Sequence, residues 1–209
     1  MAEAWYTLCT GVAWRGRSAV AAALARFLGH PTRVTKETME HLTFRPLDAP
    51  VARTILAWRY EGAYAVYNPQ PPDLAVAVAI LTDPANAYFA AHDEAGALIG
   101  FCCFGADAQV PGGDYTDTAP LDVGLGLRPD LTGGGRGLPF LLAVLALGRE
   151  RFAPPRFRLT VAAFNERAQK VYARAGFSTL ARFRRGAEAG APEFLIMIEG
   201  SQQRAQSPR

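Results

Sequence analysis

Leu121-Asp-Val-Gly-Leu-Gly-Leu-Arg-Pro-Asp-Leu-Thr-Gly-Gly-Gly-Arg-Gly-Leu-Pro-Phe140 decides the fold. Leu121, Val123, Leu125 and Leu127 alternate with Asp122, Gly124 and Gly126, the period of a β-strand with one apolar face. Glycine then fills four of the five positions from Gly133 to Gly137, and an almost wholly apolar helix is predicted over 138–152. A glycine-rich loop at a helix N-terminus can turn several backbone N–H groups inward. Those donors and the helix dipole together favour an anion, so a phosphate-bearing ligand is expected there.

Working outward, strands are expected at 42–46, 87–91, 97–105, 121–128, 156–162, 177–183 and 193–199. Asp48 and Pro50 mark a helix start, with Val51, Ile55, Leu56 and Trp58 on its apolar face. Gly62 interrupts that helix before a second piece through Tyr67, and 73–82 forms another short helix. His92-Asp-Glu-Ala-Gly96 reads as a hairpin connection. An antiparallel start followed by a β-loop-α-β-α-β tail predicts an α/β (mixed α+β) domain: a mostly antiparallel sheet of six or seven strands with helices on both faces.

With 209 residues, half of them hydrophobic, the chain can bury one sizeable core. No apolar run reaches the roughly 20 residues of a membrane span, so no membrane partner is expected. Cys9, Cys102 and Cys103 lack metal-ligand spacing and cannot make a disulfide framework. They read as small hydrophobes of a reducing, cytoplasmic compartment, and no metal is expected. The formal charge of +3 falls entirely in residues 1–38, where Arg15, Arg17, Arg26, Arg33 and Lys36 face Glu3 and Glu37. Residues 39–209 carry 17 groups of each sign, which argues against nucleic acid as a partner. Only two of the 22 basic residues are lysine, and the Ala- and Gly-rich composition suggests a bacterial source. Residues 1–38 are expected to be a disordered or dispensable leader, 39–200 the domain, and 201–209 a disordered tail.

Two familiar phosphate binders fail on specific residues. A nucleotide P-loop would enter its helix with Gly-Lys-Ser/Thr, whereas Gly137-Leu-Pro enters this one. A dinucleotide fingerprint would need glycine where Pro129 stands after Gly124-Leu-Gly126. About 30 residues downstream lies Asn165-Glu-Arg-Ala168-Gln-Lys-Val-Tyr172-Ala-Arg-Ala-Gly176-Phe177. Here Asn165 can cap a helix, Ala168, Val171, Tyr172 and Ala175 share one face, and Gly176 supplies a left-handed stop.

Together these segments resemble the GNAT superfamily of acetyl-CoA-dependent N-acetyltransferases. Thr132-Gly133-Gly134-Gly135-Arg136-Gly137 is similar to its Q/R-x-x-G-x-G/A loop, with Thr132 in place of Gln or Arg. Residues 165–177 match every specified position of its N-x-x-A-x-x-x-Y-x-x-x-G-F pattern. The resemblance covers 42–199. It implies acetyl transfer from acetyl-CoA to a primary amine of a small molecule or a protein, by direct attack in a ternary complex.

The resemblance assigns residues 132–137 and Asn165 to the CoA arm. It lays pantetheine along the strand carrying Leu125 and Leu127, in which the family commonly has a bulge. It makes Tyr172 the donor to the departing thiolate, and places the acceptor wall at Trp58, Tyr60, Tyr64 and Tyr67. For the general base, Asp122 on the glycine face is the first choice and Glu61 the second. Asp122 as a carboxylate that binds a backbone amide or begins the strand stands beside that choice. The glycines of that face would admit close approach of a ligand. A non-catalytic acyl-CoA-binding regulatory module is the alternative function, and a monomer or homodimer is expected.

Overall fold

The computed structural model describes Met39 and residues 41–200 except Ala189. The expectations for the 1–38 leader and the 201–209 tail lie outside the described residues. Seven strands form one sheet in the order β1-β2-β3-β4-β5-β7-β6. They are β1 (Thr43–Pro46), β2 (Tyr88–His92), β3 (Leu98–Phe104), β4 (Leu121–Leu127), β5 (Phe157–Ala162), β6 (Phe177–Arg184) and β7 (Glu193–Glu199). Every neighbouring pair is antiparallel except β4 with β5.

Among the described residues four α-helices cover the sheet: α1 (Ala49–Leu56), α2 (Leu74–Thr82), α3 (Gly137–Phe152) and α4 (Glu166–Arg174). Asp48 accepts from the Val51 N–H at 2.9 Å, and Asp73 caps α2 through the amides of Ala75 and Val76. Side-chain alternation along β2 and β3 sorts the core into two layers. Tyr88, Ala90, Phe101 and Cys103 pack under α1 and α2 with Ala52, Ile55 and Leu81. Phe89, Ala91, Cys102 and Phe104 pack on the other face with Phe140, Leu141, Val144 and Leu145 of α3. Cys102 and Cys103 are buried and unbridged, one in each layer.

β3 and β4 pair in unbroken register from Gly100↔Leu127 to Phe104↔Val123. The bulge expected in β4 is therefore absent from that ladder; register shifts occur at Ala91/His92 and Thr179/Ala181 instead. Gly124 and Gly126 have a different use from the one expected. A Cβ on Gly126 would lie 2.5 Å from the Phe101 ring, and one on Gly124 would lie 2.9 Å from the Cys103 sulfur. The space belongs to β3 side chains, not to a ligand.

The functional opening follows from the one parallel pair. β4 and β5 meet only at Leu121↔Phe157 and Asp122↔Arg158, after which β5 continues its ladder with β7. From Val123 to Leu127 the β4 edge has no strand of the described residues beside it on that side, and the sheet divides as a fork.

Candidate active site

At the open end of the fork, Gly133, Gly134 and Gly135 have φ of +87°, +59° and +77°. Three consecutive left-handed residues are a conformation that side-chain-bearing L-residues resist by roughly 1–2 kcal/mol each, which is why glycine occupies all three. Among the described residues, the N–H groups of Gly133, Gly134 and Gly135 meet no backbone acceptor. Arg136 precedes α3 without a side-chain cap and its own N–H donates to the Gly133 carbonyl at 3.3 Å, so among the first-turn amides those of Gly137 and Leu138 meet no backbone acceptor, Pro139 having no N–H. The loop is thus a concave set of donors at a helix N-terminus, fit for a pyrophosphate. Thr132 is turned away, its hydroxyl donating to the Pro129 carbonyl at 2.8 Å.

The second motif lies against this loop. A Cβ on Gly137 would meet Val171 at 3.2 Å, and one on Gly133 would meet the Arg167 guanidinium at 3.1 Å. Asn165 caps α4 as expected, its Oδ1 accepting from the Ala168 N–H at 3.1 Å. Its Nδ2 donates to the Tyr67 hydroxyl at 3.1 Å. Tyr172 is half-buried among the main-core residues, with its ring 6.4 Å from that of Phe177. Burial, and secondarily Tyr67, push its phenol well above the ordinary value. Tyr172, Tyr67 and Asn165 therefore gather beside the fork, drawn from α4 and from the 3-10 turn Gly62–Tyr67.

The other expected acceptor residues separate. Trp58 is a core residue, 8% exposed, with its ring 6.0 Å from that of Phe101, so it does not line a site. Tyr60 donates its hydroxyl to the Leu127 carbonyl at 2.8 Å, tying the segment after α1 to the end of β4. Tyr64 and Tyr67 pack on Phe164, and Arg167 lies 5.2 Å over the Tyr64 ring. Glu61 is exposed at the start of the 3-10 turn. Leu125 and Leu127 turn their side chains to the main core; what they offer the fork is backbone.

Asp122 does not stand open on a ligand face. Its carboxylate accepts from Arg158 Nε at 2.6 Å and Nη2 at 2.7 Å, and from Gln109 Nε2 at 2.8 Å. Both partners of the ion pair are buried, with side chains 2% (Arg158) and 6% (Asp122) exposed. With both oxygens held, taking up a substrate proton would break a bidentate pair, so the structural reading of Asp122 fits better than the general base. Arg158 also donates to the Asp117 carbonyl at 2.9 Å and lies 4.9 Å over the Tyr115 ring. The sequence held one signal of this: an arginine inside the mostly apolar strand Phe157–Ala162 has to find a buried acid.

A cavity of about 180 Å³ adjoins this pair at the closed end of the fork, lined by Gln109, Tyr115, Thr118, Leu121, Asp122 and Arg158 among others. Among the described residues no group of three His, Cys, Asp or Glu could hold a metal ion. No described helix is long and apolar enough to cross a membrane.

The acetyltransferase (GNAT) domain family matches residues 41–178. Solved structures share the fold at low identity. A chimera of the Vibrio cholerae spermidine N-acetyltransferase SpeG with hSSAT superposes with a TM-score of 0.59 at 19% identity, covering 76% of this chain and 95% of that one. Spermidine/spermine N-acetyltransferase SpeG from Vibrio cholerae, in complex with manganese ions, gives 0.57 at 17%, covering 77% and 93%. A GNAT-family acetyltransferase from Streptococcus pneumoniae gives 0.54 at 15%, covering 76% and 99%. No curated protein matches the chain.

Proposed function

The chain belongs to the GNAT acetyltransferase family, and on that premise we propose that it transfers the acetyl group of acetyl-CoA to a primary amine by direct attack in a ternary complex. The observation that carries this reading is the run of three left-handed glycines at the start of α3, opening beside the unpaired edge of β4. The amides of Gly133, Gly134, Gly135 and Gly137 would hold the pyrophosphate, and Asn165 would contact the arm. The free edge of β4 from Val123 to Leu127 would pair with the amides of the arm as an added strand does. When bound, acetyl-CoA supplies an acyl carbon activated as a thioester: the amine nitrogen forms the new C–N bond, the C–S bond breaks, and one amine proton is released.

The protein's share is positioning and charge management. A phenol raised above its ordinary pKa of about 10 keeps its proton throughout the working range. Tyr172 accordingly acts as a hydrogen-bond donor to the sulfur as negative charge develops there, rather than as a full proton donor. The neighbouring Tyr67 hydroxyl, fixed by Asn165, helps to hold it in that role. With Asp122 engaged by Arg158, no described carboxylate stands free at the fork's apex, and amine deprotonation falls to water or to a group such as Glu61 at the rim.

A Tyr172→Phe variant separates transfer from binding. Thiol release should fall at least tenfold, while the dissociation constant for CoA, measured by calorimetry, stays within twofold. Equal loss of both would remove Tyr172 from the chemistry. CoA binding without thiol release across a broad amine panel would favour the regulatory acyl-CoA-binding module.

A further inference from the structure

Resting on the acetyltransferase reading above, we propose that the cavity at the closed end of the fork is the acceptor subsite, and that it takes a compact primary amine carrying no second positive charge.

The position follows from the fork. The anion cradle begins six residues beyond the C-terminal end of β4, and the cavity touches the first two residues of that strand, Leu121 and Asp122. A donor arm laid from the cradle along β4 runs toward the point where β4 and β5 join, so its reactive end faces the closed end. The open end and the strand edge are then occupied, and an amine has to approach from the other side. The cavity adjoins the join itself, touching Leu121 and Asp122 of β4 and Arg158 of β5.

Its size and charge set the class. About 180 Å³ is below the roughly 300–1,000 Å³ of pockets for drug-sized ligands. The buried side chains at its inner wall are one carboxylate and one guanidinium in contact, so the wall is a dipole without net charge. Gln109 spends one of its two amide N–H groups on Asp122 and has its carbonyl oxygen left to offer. Of the five guanidinium N–H groups on Arg158, three are engaged with Asp122 and the Asp117 carbonyl. Such a wall suits a neutral polar group or a carboxylate on the acceptor. A further ammonium would lie against Arg158, and Asp122, already paired, is the one carboxylate among the lining residues. The exposed Asp114 and Asp117 are held in their own loop by Thr116 and the Ala119 amide, and neither lines the cavity.

The test uses the full chain, thiol release with acetyl-CoA, and three acceptor sets: monoamines and amino acids of at most about ten heavy atoms, spermidine, and lysine-bearing peptides. The proposal expects turnover of at least one compact amine with kcat/KM at least tenfold above spermidine. It also expects Thr118→Trp, a substitution at the exposed loop lining the cavity, to raise the KM of that amine at least tenfold. The acetyl-CoA KM should change less than twofold. Preference for spermidine or a peptide, an unchanged amine KM in Thr118→Trp, or no turnover of compact amines by a protein that binds acetyl-CoA would each overturn it. Failure of the wild-type chain to bind acetyl-CoA by calorimetry would overturn the acetyltransferase reading itself.

Discussion

Replacing Arg158 with methionine tests how the closed end of the fork is held. The change removes a guanidinium whose side chain is 2% exposed and whose bonds reach Asp122 twice and the Asp117 carbonyl once. What remains is a carboxylate with 6% exposure and only Gln109 as partner. Breaking a buried pair in this way costs about 3–5 kcal/mol, because the stranded charge has lost water as well as its counterion. For a domain of this size that corresponds to a fall in Tm of about 6–20 °C. The exposed Glu166–Lys170 pair, 3.7 Å apart with side chains 76% and 74% exposed, is the internal control. Lys170→Met should change stability by less than about 1 kcal/mol. Adding Asp122→Asn to Arg158→Met removes the stranded charge and should restore at least half of the loss. Urea unfolding of the wild type and the three variants, followed by tryptophan fluorescence, gives the numbers. An Arg158→Met cost no larger than that of Lys170→Met would mean that the pair is hydrated, and the positioning argument for the fork would fall with it.

Two further perturbations probe the core. Gly148→Ala in α3 gains helix propensity of up to about 1 kcal/mol. Its new methyl would sit 2.7 Å from the rings of both Phe104 and Phe157, an overpacking cost of about 1–3 kcal/mol, so a lower Tm is expected and a higher one would refute the tight fit. Asp107 is buried with Oδ2 unpartnered among the described residues, and burial raises its carboxyl above the ordinary range, with Tyr88 pulling it partly back. The folded state therefore holds the proton longer than the unfolded chain, and stability is lost as pH rises from about 4 through the folded value. Asp107→Asn should leave stability near pH 4 little changed and raise it by about 1–3 kcal/mol at pH 8. A gain independent of pH would sink this assignment.

The elements of the fold were legible because their signals are local. Asp48, Asp73 and Asn165 cap helices from fixed positions, and period-two alternation gives the two faces of β3 and β4. The cradle was legible for the same reason: three glycines in a row before an apolar helix need a backbone conformation that few other residues tolerate. What could not be read is what depends on pairing across the chain. Asp122 and Arg158 are 36 positions apart, and only the β4–β5 register makes them neighbours. Gly124 and Gly126 looked like room for a ligand because nothing in their own segment says that Phe101 and Cys103 fill it. Trp58 and Tyr64 share one aromatic cluster in the sequence, yet one is core and the other reaches the rim near Arg167. Which side of the 3-10 turn each residue faces was set by tertiary packing.

The two-residue join between β4 and β5 also has a mechanical consequence. One layer of the core runs without a break beneath both halves of the sheet, from Phe104 and Val123 through Phe157 and Leu159 to Leu195, and α3 is fastened across it. On the opposite side the halves are linked by an ion pair and the segment carrying Gln109 and Tyr115. The apolar layer thus binds the two halves along one side, like a glued spine, while the other side is held by polar links. Breathing of the two leaves has a preferred direction, away from α3, and the low-energy openings that hydrogen exchange detects belong at residues 105–120 rather than along the helix.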